Sequence, residues 1–474
     1  MDKYIEKIEN DSVLKLIKPY LNNKEAFLIG GFVRDILMDK ESHDRDLIII
    51  EDELEIFAKD LADKINAYFI ELDTVNNIYR LVLEDKINYI DITKPIENDL
   101  EKDIKRRDLT INAIAYDINN KKFIDIVDGI KDIKSKKIKG ISEQNFEDDP
   151  LRLLRIFRFY ANTGFDINKS LIKIVKENYK NINKPAKERV TTELLKLFEG
   201  NYAHDALLKM DECNLLEEIF PIYKEVKKIP SNSHHHLDLF HHLVETVRQI
   251  QILYESAEDV IKKYLDLEKG YGVKTIAFLK LAGFLHDIGK PSCWTIEEET
   301  GRHRFIKHDE IGSKLVVPIL KNLKFSKKQI EYIKKLIKFH IYPSSMMSAP
   351  EVTDKAYMKF YRKMEDCVID VIFLAKADRL SARGEKVTQE MVDKNINNLS
   401  WLLNNYLKMK DNIQPIEKLL DGTDIMELLG ISQGPELGKI ISALKEAQIS
   451  GDVNTKQEAI DFVKEFFILS KLNT

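Results

Sequence analysis

Residues Phe27–Ile50 read FLIGGFVRDILMDKESHDRDLIII. The apolar run Phe27-Leu28-Ile29 is long enough for a short buried strand. Gly30 and Gly31 interrupt it, Val33 to Met38 carries the pattern of a helix, and Leu47 to Ile50 is a second apolar run expected to form another strand. Asp44 and Asp46 stand just before or inside that run. Alternate residues of a strand share a face, so the two carboxylates lie side by side and repel. A divalent cation removes the conflict, and hard oxygen ligands suit Mg²⁺. A glycine turn at a helix start can present backbone N–H groups to phosphate. Each feature alone is common on protein surfaces. Together they point to nucleoside triphosphate chemistry.

The combination GGxVRD followed by DxD at this distance resembles the signature of the nucleotidyltransferases related to DNA polymerase β, in the branch that holds CCA-adding enzymes and bacterial poly(A) polymerases. A second block, KRRDLTINAIAYD (Lys105–Asp117), is expected to open a helix with Arg106, Arg107 and Asp108 at its N-terminus. Arginines there oppose the helix dipole, a placement that a bound phosphate would explain. The block resembles the family's second motif. That resemblance implies that Arg107 contacts the nucleotide and that Asp108 and Asn112 hold the ribose side. Asp91, in YIDIT, is either a third palm carboxylate or a solvent-facing group on an edge strand.

A third block, DDPLRLLRIFRF (Asp148–Phe159), repeats arginine at Arg152, Arg155 and Arg158. Steps of three make one slowly drifting helix face. Three arginines without an interleaved acid call for an anionic partner. The block resembles the family's base-selecting EDxxR motif, with Asp148 in place of the usual Glu. By that resemblance Asp149 and Arg152 read the base without a nucleic-acid template. A carboxylate accepts from an exocyclic amine and a guanidinium donates to ring acceptors, so one pair can take C and A and reject U and G. By the same resemblance Arg155 and Arg158 join Gly31, Arg34 and Arg107 in holding the triphosphate, and Gly30 and Asp35 belong to the nucleotide site. ERVTTELLKLFEG and ALLKMDECNLLEEIFP then resemble the helical neck of bacterial members, which braces the head and lines an RNA path.

A fourth block is rich in histidine. FLKLAGFLHDIGKP ends an apolar helix on His286-Asp287 and resembles the HD superfamily of metal-dependent phosphohydrolases. The resemblance assigns the earlier His to His242 and the later Asp to Asp378, with His308 and His340 as further ligands of a two-metal version. Imidazoles and carboxylates suit Ni, Mn, Fe or Zn, which activate water against a phosphoester. Such a domain is either catalytic or a folded RNA-binding module. His234–His236 reads as a loop before it, and Pro415–Gly438 as a turn-rich segment opening a helical tail that resembles HD-containing CCA-adding enzymes.

At 474 residues the chain exceeds one ordinary core, and about three or four domains are expected. The expected class is α+β: a palm over residues 1–128, a helical neck over 129–225, an HD domain over 226–390 and a helical tail over 391–474. Net charge near −5 excludes a global field that would steer nucleic acid. No apolar run reaches the roughly 20 residues of a membrane span, and the N-terminus lacks a signal-peptide core. Cys213, Cys293 and Cys367 are scattered without a CxxC, which fits a reducing cytoplasm. The resemblance as a whole implies a tRNA nucleotidyltransferase that builds or repairs the 3′-terminal CCA of tRNA from CTP and ATP. Enzymes adding only A, only CC or a poly(A) tail share these motifs, and a phosphohydrolase whose palm merely positions RNA is the rival from another class. Oligomeric state is left open.

Overall fold

The first block forms two neighbouring strands. Glu25–Ile29 (β1) and Asp44–Ile50 (β2) pair antiparallel, with Ile29 opposite Asp46. Tyr68–Asp73 (β3), Ile78–Val82 (β4), Tyr89–Thr93 (β5), Ala115–Asp117 (β6) and Lys122–Ile124 (β7) complete a seven-stranded sheet of order β3-β4-β5-β2-β1-β6-β7. β2 and β5 are its parallel pair and set Asp46 beside Asp91. A parallel pair needs a crossover, supplied here by helix Leu54–Lys64 and the β3–β4 hairpin. The structure is a computed structural model and describes residues 1–232, 236–350, 352–413 and 418–472. The loop expected at His234–His236 and the start of the segment from Pro415 fall largely outside the described residues.

Contacts divide the chain into two compact units, Met1–Pro221 and Ile222–Thr474. The helices of the first are Asp2–Glu9 (α1), Ser12–Ile17 (α2), Gly31–Leu37 (α3), Leu54–Lys64 (α4), Leu100–Lys105 (α5), Gly129–Lys134 (α6), Gln144–Asp148 (α7), Leu151–Thr163 (α8), Lys169–Asn178 (α9), Lys187–Glu199 (α10), Ala203–Glu212 (α11) and Leu215–Ile219 (α12). Phe27, Ile29 and Ile48 of the sheet pack with Ile104 of α5 and Ala113 and Ala115. α8 and α10 lie side by side and parallel: Asp149 meets Arg189 at their N-terminal ends, and the Tyr202 N–H donates to the Ala161 carbonyl beyond the other.

Two expectations change here. Arg106 and Arg107 do not open a helix; they follow the C-terminus of α5, whose start is capped by the Asp99 carboxylate. Downstream, Thr110–Asn112 makes only a 3₁₀ turn before β6. The arginines therefore complement the dipole of α5 instead of opposing it. Asp91 lies on an interior strand, not an edge.

The second unit is almost wholly helical: Tyr223–Val226 (α13), Leu239–Glu255 (α14), Asp259–Leu265 (α15), Thr275–Leu285 (α16), His308–Asn322 (α17), Lys327–Phe339 (α18), Tyr342–Met347 (α19), Asp354–Met364 (α20), Val368–Ser381 (α21), Gln389–Met409 (α22), Gly422–Leu429 (α23), Pro435–Ser450 (α24) and Lys456–Leu472 (α25). Every residue of α16 is buried, which makes it the central helix. It carries His286-Asp287 at its end, with α14 and α21 packed against it. The segment read as turns after Pro415 contains α23 and the start of α24, whose Ile425, Leu437 and Ile440 bury against Val463 of α25.

Candidate active site

Asp44 and Asp46 share one face of β2. Arg45 between them turns to the other face, where Asp11 holds it at 2.6 Å. Asp91 joins the pair across β5, and ligand atoms of the three acids lie within 4.8 Å of one another. Arg80, opposite Asp91 on β4, grips that carboxylate through two hydrogen bonds of 2.7 Å. Asp44 and Asp46 face the cavity. Desolvation in the concave site pushes both carboxyls up, aided by Asp91 for Asp44 and by Asp44 for Asp46, which reaches about 7. Two crowded carboxylates that resist ionisation form an oxygen donor set that a divalent cation satisfies. Gly30 is required here twice over. Its φ is +78°, and a Cβ would stand 2.7 Å from Asp46 Oδ2 and 3.1 Å from Arg107.

The arginines surround the same cavity, which measures about 750 Å³. Gly30, Gly31, Arg34, Asp44, Asp46, Arg107, Asp108, Asn112, Asp149, Arg152, Arg155 and Arg158 all line it. Asp35 stands behind the lining and braces Arg34 at 2.8 Å, while Arg34 also donates to Asn112 Oδ1 at 2.6 Å. Asp108 is buried, accepting from Arg155 Nε at 2.7 Å and from the Asn112 amide at 3.1 Å. Burial opposes its charge, yet Arg155 holds it well below the carboxylate range. Arg107 pairs with Asp103 at 3.3 Å. Asp149 Oδ2 accepts from Arg189 at 2.7 Å, and Arg152 donates to the Asn145 carbonyl at 2.9 Å. Asp148 is exposed and accepts from Gln144.

Sequence reading missed α10 as part of this site. Glu193 is buried and bridges Arg155 at 3.1 Å and Arg158 at 3.0 Å. It is the acid that the three-arginine face lacked, supplied from 35 residues downstream. Burial and then Arg155 press Arg158 down to about 10. Removing one partner of a buried ion pair costs about 3–5 kcal/mol. Glu193→Ala is therefore expected to lower the melting temperature clearly and to weaken nucleotide addition. A melt unchanged by the substitution would count against this brace.

The histidine block assembles a second cluster in the other unit. His242 on α14, His286, Asp287 and Asp378 on α21 place ligand atoms within 4.8 Å, and Asp287, His308 and His340 form a second such set. Asp287 belongs to both. Its Oδ2 lies 3.4 Å from His242 and 3.2 Å from His286, its Oδ1 3.1 Å from His308 and 3.7 Å from His340. The Nδ1 atoms of His286, His308 and His340 lie 2.7–2.8 Å from the carbonyls of Gly283, Phe305 and Ile337. A carbonyl only accepts, so each Nδ1 carries a proton and each Nε2 faces Asp287, the orientation in which a histidine ligates a metal while its other nitrogen donates to a carbonyl. His286 Nε2 and Asp287 Oδ1 are buried without an aligned hydrogen bond. Burial resists charge on His286, but Asp287 and Asp378 raise it to about 10, whereas burial and His286 depress His340 to about 4. The carboxylates demand a positive charge that a proton or a metal ion can supply. Gly289 lets α17 approach, since a Cβ there would meet the His308 carbonyl at 2.1 Å.

An acidic pair on a mixed sheet and a cage of arginines open on one cavity, the composition of a nucleotidyltransferase head. Residues 26–139 match the Poly A polymerase head domain, 164–227 the RNA and SrmB-binding site of polymerase A, and 308–463 domain 2 of tRNA nucleotidyltransferases. The CC-adding tRNA nucleotidyltransferase of Thermus thermophilus is 30% identical over 455 residues, covering 94% of both chains. The A-adding tRNA nucleotidyltransferase of Deinococcus radiodurans is 29% identical over 93% of this chain and 95% of that protein. The chain belongs to the tRNA nucleotidyltransferase family. The Thermotoga maritima CCA-adding enzyme complexed with tRNA shares the fold, with a TM-score of 0.55 and 20% identity over 98% of each chain. No helix among the described residues is long and apolar enough to cross a membrane.

Proposed function

We propose that the protein adds nucleotides of the 3′-terminal CCA to tRNA, from CTP and ATP, without a nucleic-acid template. The observation that carries this is the convergence on one cavity of Asp44 and Asp46, the Gly30 turn, the arginines of α3 and α8, and the Asp149/Arg152 pair. The RNA 3′-hydroxyl attacks the α-phosphorus in line and pyrophosphate leaves. Mg²⁺ held by Asp44 and Asp46 supplies, when bound, the Lewis acidity of such a transfer. Arg34, Arg107, Arg155 and Arg158 hold the triphosphate, Asp108 and Asn112 the ribose side. Asp149 and Arg152 read the base once it displaces Arg189 and the Asn145 carbonyl. The four-part division into palm, neck, HD domain and tail belongs to this reading; the matches over 26–139 and 164–227 support its first two parts. The free cysteines accord with a cytoplasmic location.

The deciding assay incubates the protein with tRNA ending before CCA, after C and after CC, with each labelled nucleoside triphosphate in turn. One observation favours a narrower reading, addition of CC or of A alone: the Thermus thermophilus and Deinococcus radiodurans relatives, similar over nearly their whole length, carry those activities in their names. The same three substrates separate these readings. If Asp149 and Arg152 form the reader, Arg152→Ala lowers the rate and admits UTP or GTP. Equal loss for all nucleotides with selectivity intact would locate the reader elsewhere.

The His242, His286, Asp287, Asp378 set, with His308 and His340, forms a metal-dependent phosphohydrolase site for Ni, Mn, Fe or Zn. Its support is the inward-facing Nε2 array around Asp287.

A further inference from the structure

Lys196 lies one turn beyond Glu193 on α10 and lines the nucleotidyltransferase cavity. Each arginine of that cavity already holds a carboxylate or carbonyl of the protein. The Lys196 side chain makes no ion pair or hydrogen bond among the described residues, although the residue is half-buried. The charges that act on it most strongly are Arg158, Glu193, Asp44 and Arg155. Glu193 is occupied by the two arginines, and Asp44 belongs to the metal pair. Burial first and Arg158 second lower the lysine's pKa. A desolvated ammonium that no carboxylate pairs with directly is unfavourable, and this one shares its cavity with Arg158 and Asp44. A polyphosphate running from Asp44 to Arg158 passes it. Lysine acts toward phosphate as a point charge.

We infer that Lys196 is a further contact to the polyphosphate of the incoming nucleotide. The inference rests on the nucleotidyltransferase reading and adds a residue no motif of the first three blocks contains. It separates the polyphosphate from the base and from the RNA primer, because α10 meets the base reader only at its other end, through Arg189.

The test compares the full-length wild type with Lys196→Ala, Lys196→Met and Lys196→Arg. Kd for CTP and for CMP is measured with Mg²⁺, and KM for CTP and for tRNA in the addition assay. Lys196→Ala is expected to weaken CTP binding and raise its KM at least tenfold. CMP affinity and the KM for tRNA stay within twofold, Lys196→Met behaves alike while keeping the apolar stem, and Lys196→Arg recovers most of the loss. CTP affinity within twofold of wild type, an equal loss for CMP, or a rise confined to the tRNA KM would overturn the inference. Failure of the wild type to extend any tRNA would instead overturn the underlying reading, while the CTP–CMP difference still decides the role of Lys196.

Discussion

Asp46→Ala reduces nucleotide incorporation into tRNA by at least a thousandfold, leaves tRNA binding within a few-fold, and raises the melting temperature in metal-free buffer. The three effects have one origin. Asp46 is the deeper acid of the pair, packed against Gly30 and Arg107. Burial and the neighbouring Asp44 push its carboxyl up to about 7, so the native state is strained by its charge. Alanine removes the strain, and with it half of the oxygen set that would hold the cation. Losing that cation removes charge stabilisation at the phosphorus, and each ~1.4 kcal/mol lost there is tenfold in rate. Such a trade of stability for function is common at active sites. Radiolabelled CTP incorporation, filter binding of tRNA and thermal melts test the three parts. Near wild-type incorporation would remove the metal assignment to β2.

Asp287→Ala acts on the other centre. Asp287 is the carboxylate shared by both ligand sets, with four histidine nitrogens within 3.7 Å and Lys290 at 2.5 Å. Without it the two sets lose their common member, and bound transition metal should fall to background by elemental analysis. Hydrolysis of a small phosphoester in Ni²⁺ or Mn²⁺ is lost, while nucleotide addition stays within about threefold. The reason for independence is that the two donor sets share no residue and differ in chemistry, oxygen only against nitrogen and oxygen. The reciprocal variant, Asp46→Ala, keeps the hydrolysis. Loss of both activities in a folded Asp287→Ala protein would make the histidine cluster part of the transferase machinery. Absence of hydrolysis in the wild type with every metal tried would make it a structural centre.

The residues of the first block were legible because strand, glycine turn and carboxylate spacing are local. A five-residue strand and its neighbour carry their signal in their own side chains. The arginine face of α8 was legible for the same reason. Its counter-charge was not, since Glu193 and Asp108 reach it from 38 and 47 residues away, and no periodicity links them. The second block misled because its helix lies before the arginines. The Asp99 cap was visible in ENDLEKD, but the apolar pattern of LTINAIAY drew the helix forward across a turn and a buried strand. Asp91 stayed open between a third palm carboxylate and an edge-strand residue because sheet order, which makes β5 an interior strand, is a non-local property.

The Asp149–Arg189 ion pair has a kinetic meaning on the proposed roles. The reader is masked by its own protein until a base arrives. An amine on cytosine or adenine must outcompete a guanidinium for one carboxylate while the ring nitrogen beside it accepts from Arg152; uracil and guanine set a carbonyl where the amine stands and an N–H where that acceptor stands, so neither half of the exchange pairs. Rejection then needs no clash and no cavity too small for the wrong ring. It needs only that the mask fail to open, so discrimination is exercised before the phosphates are committed.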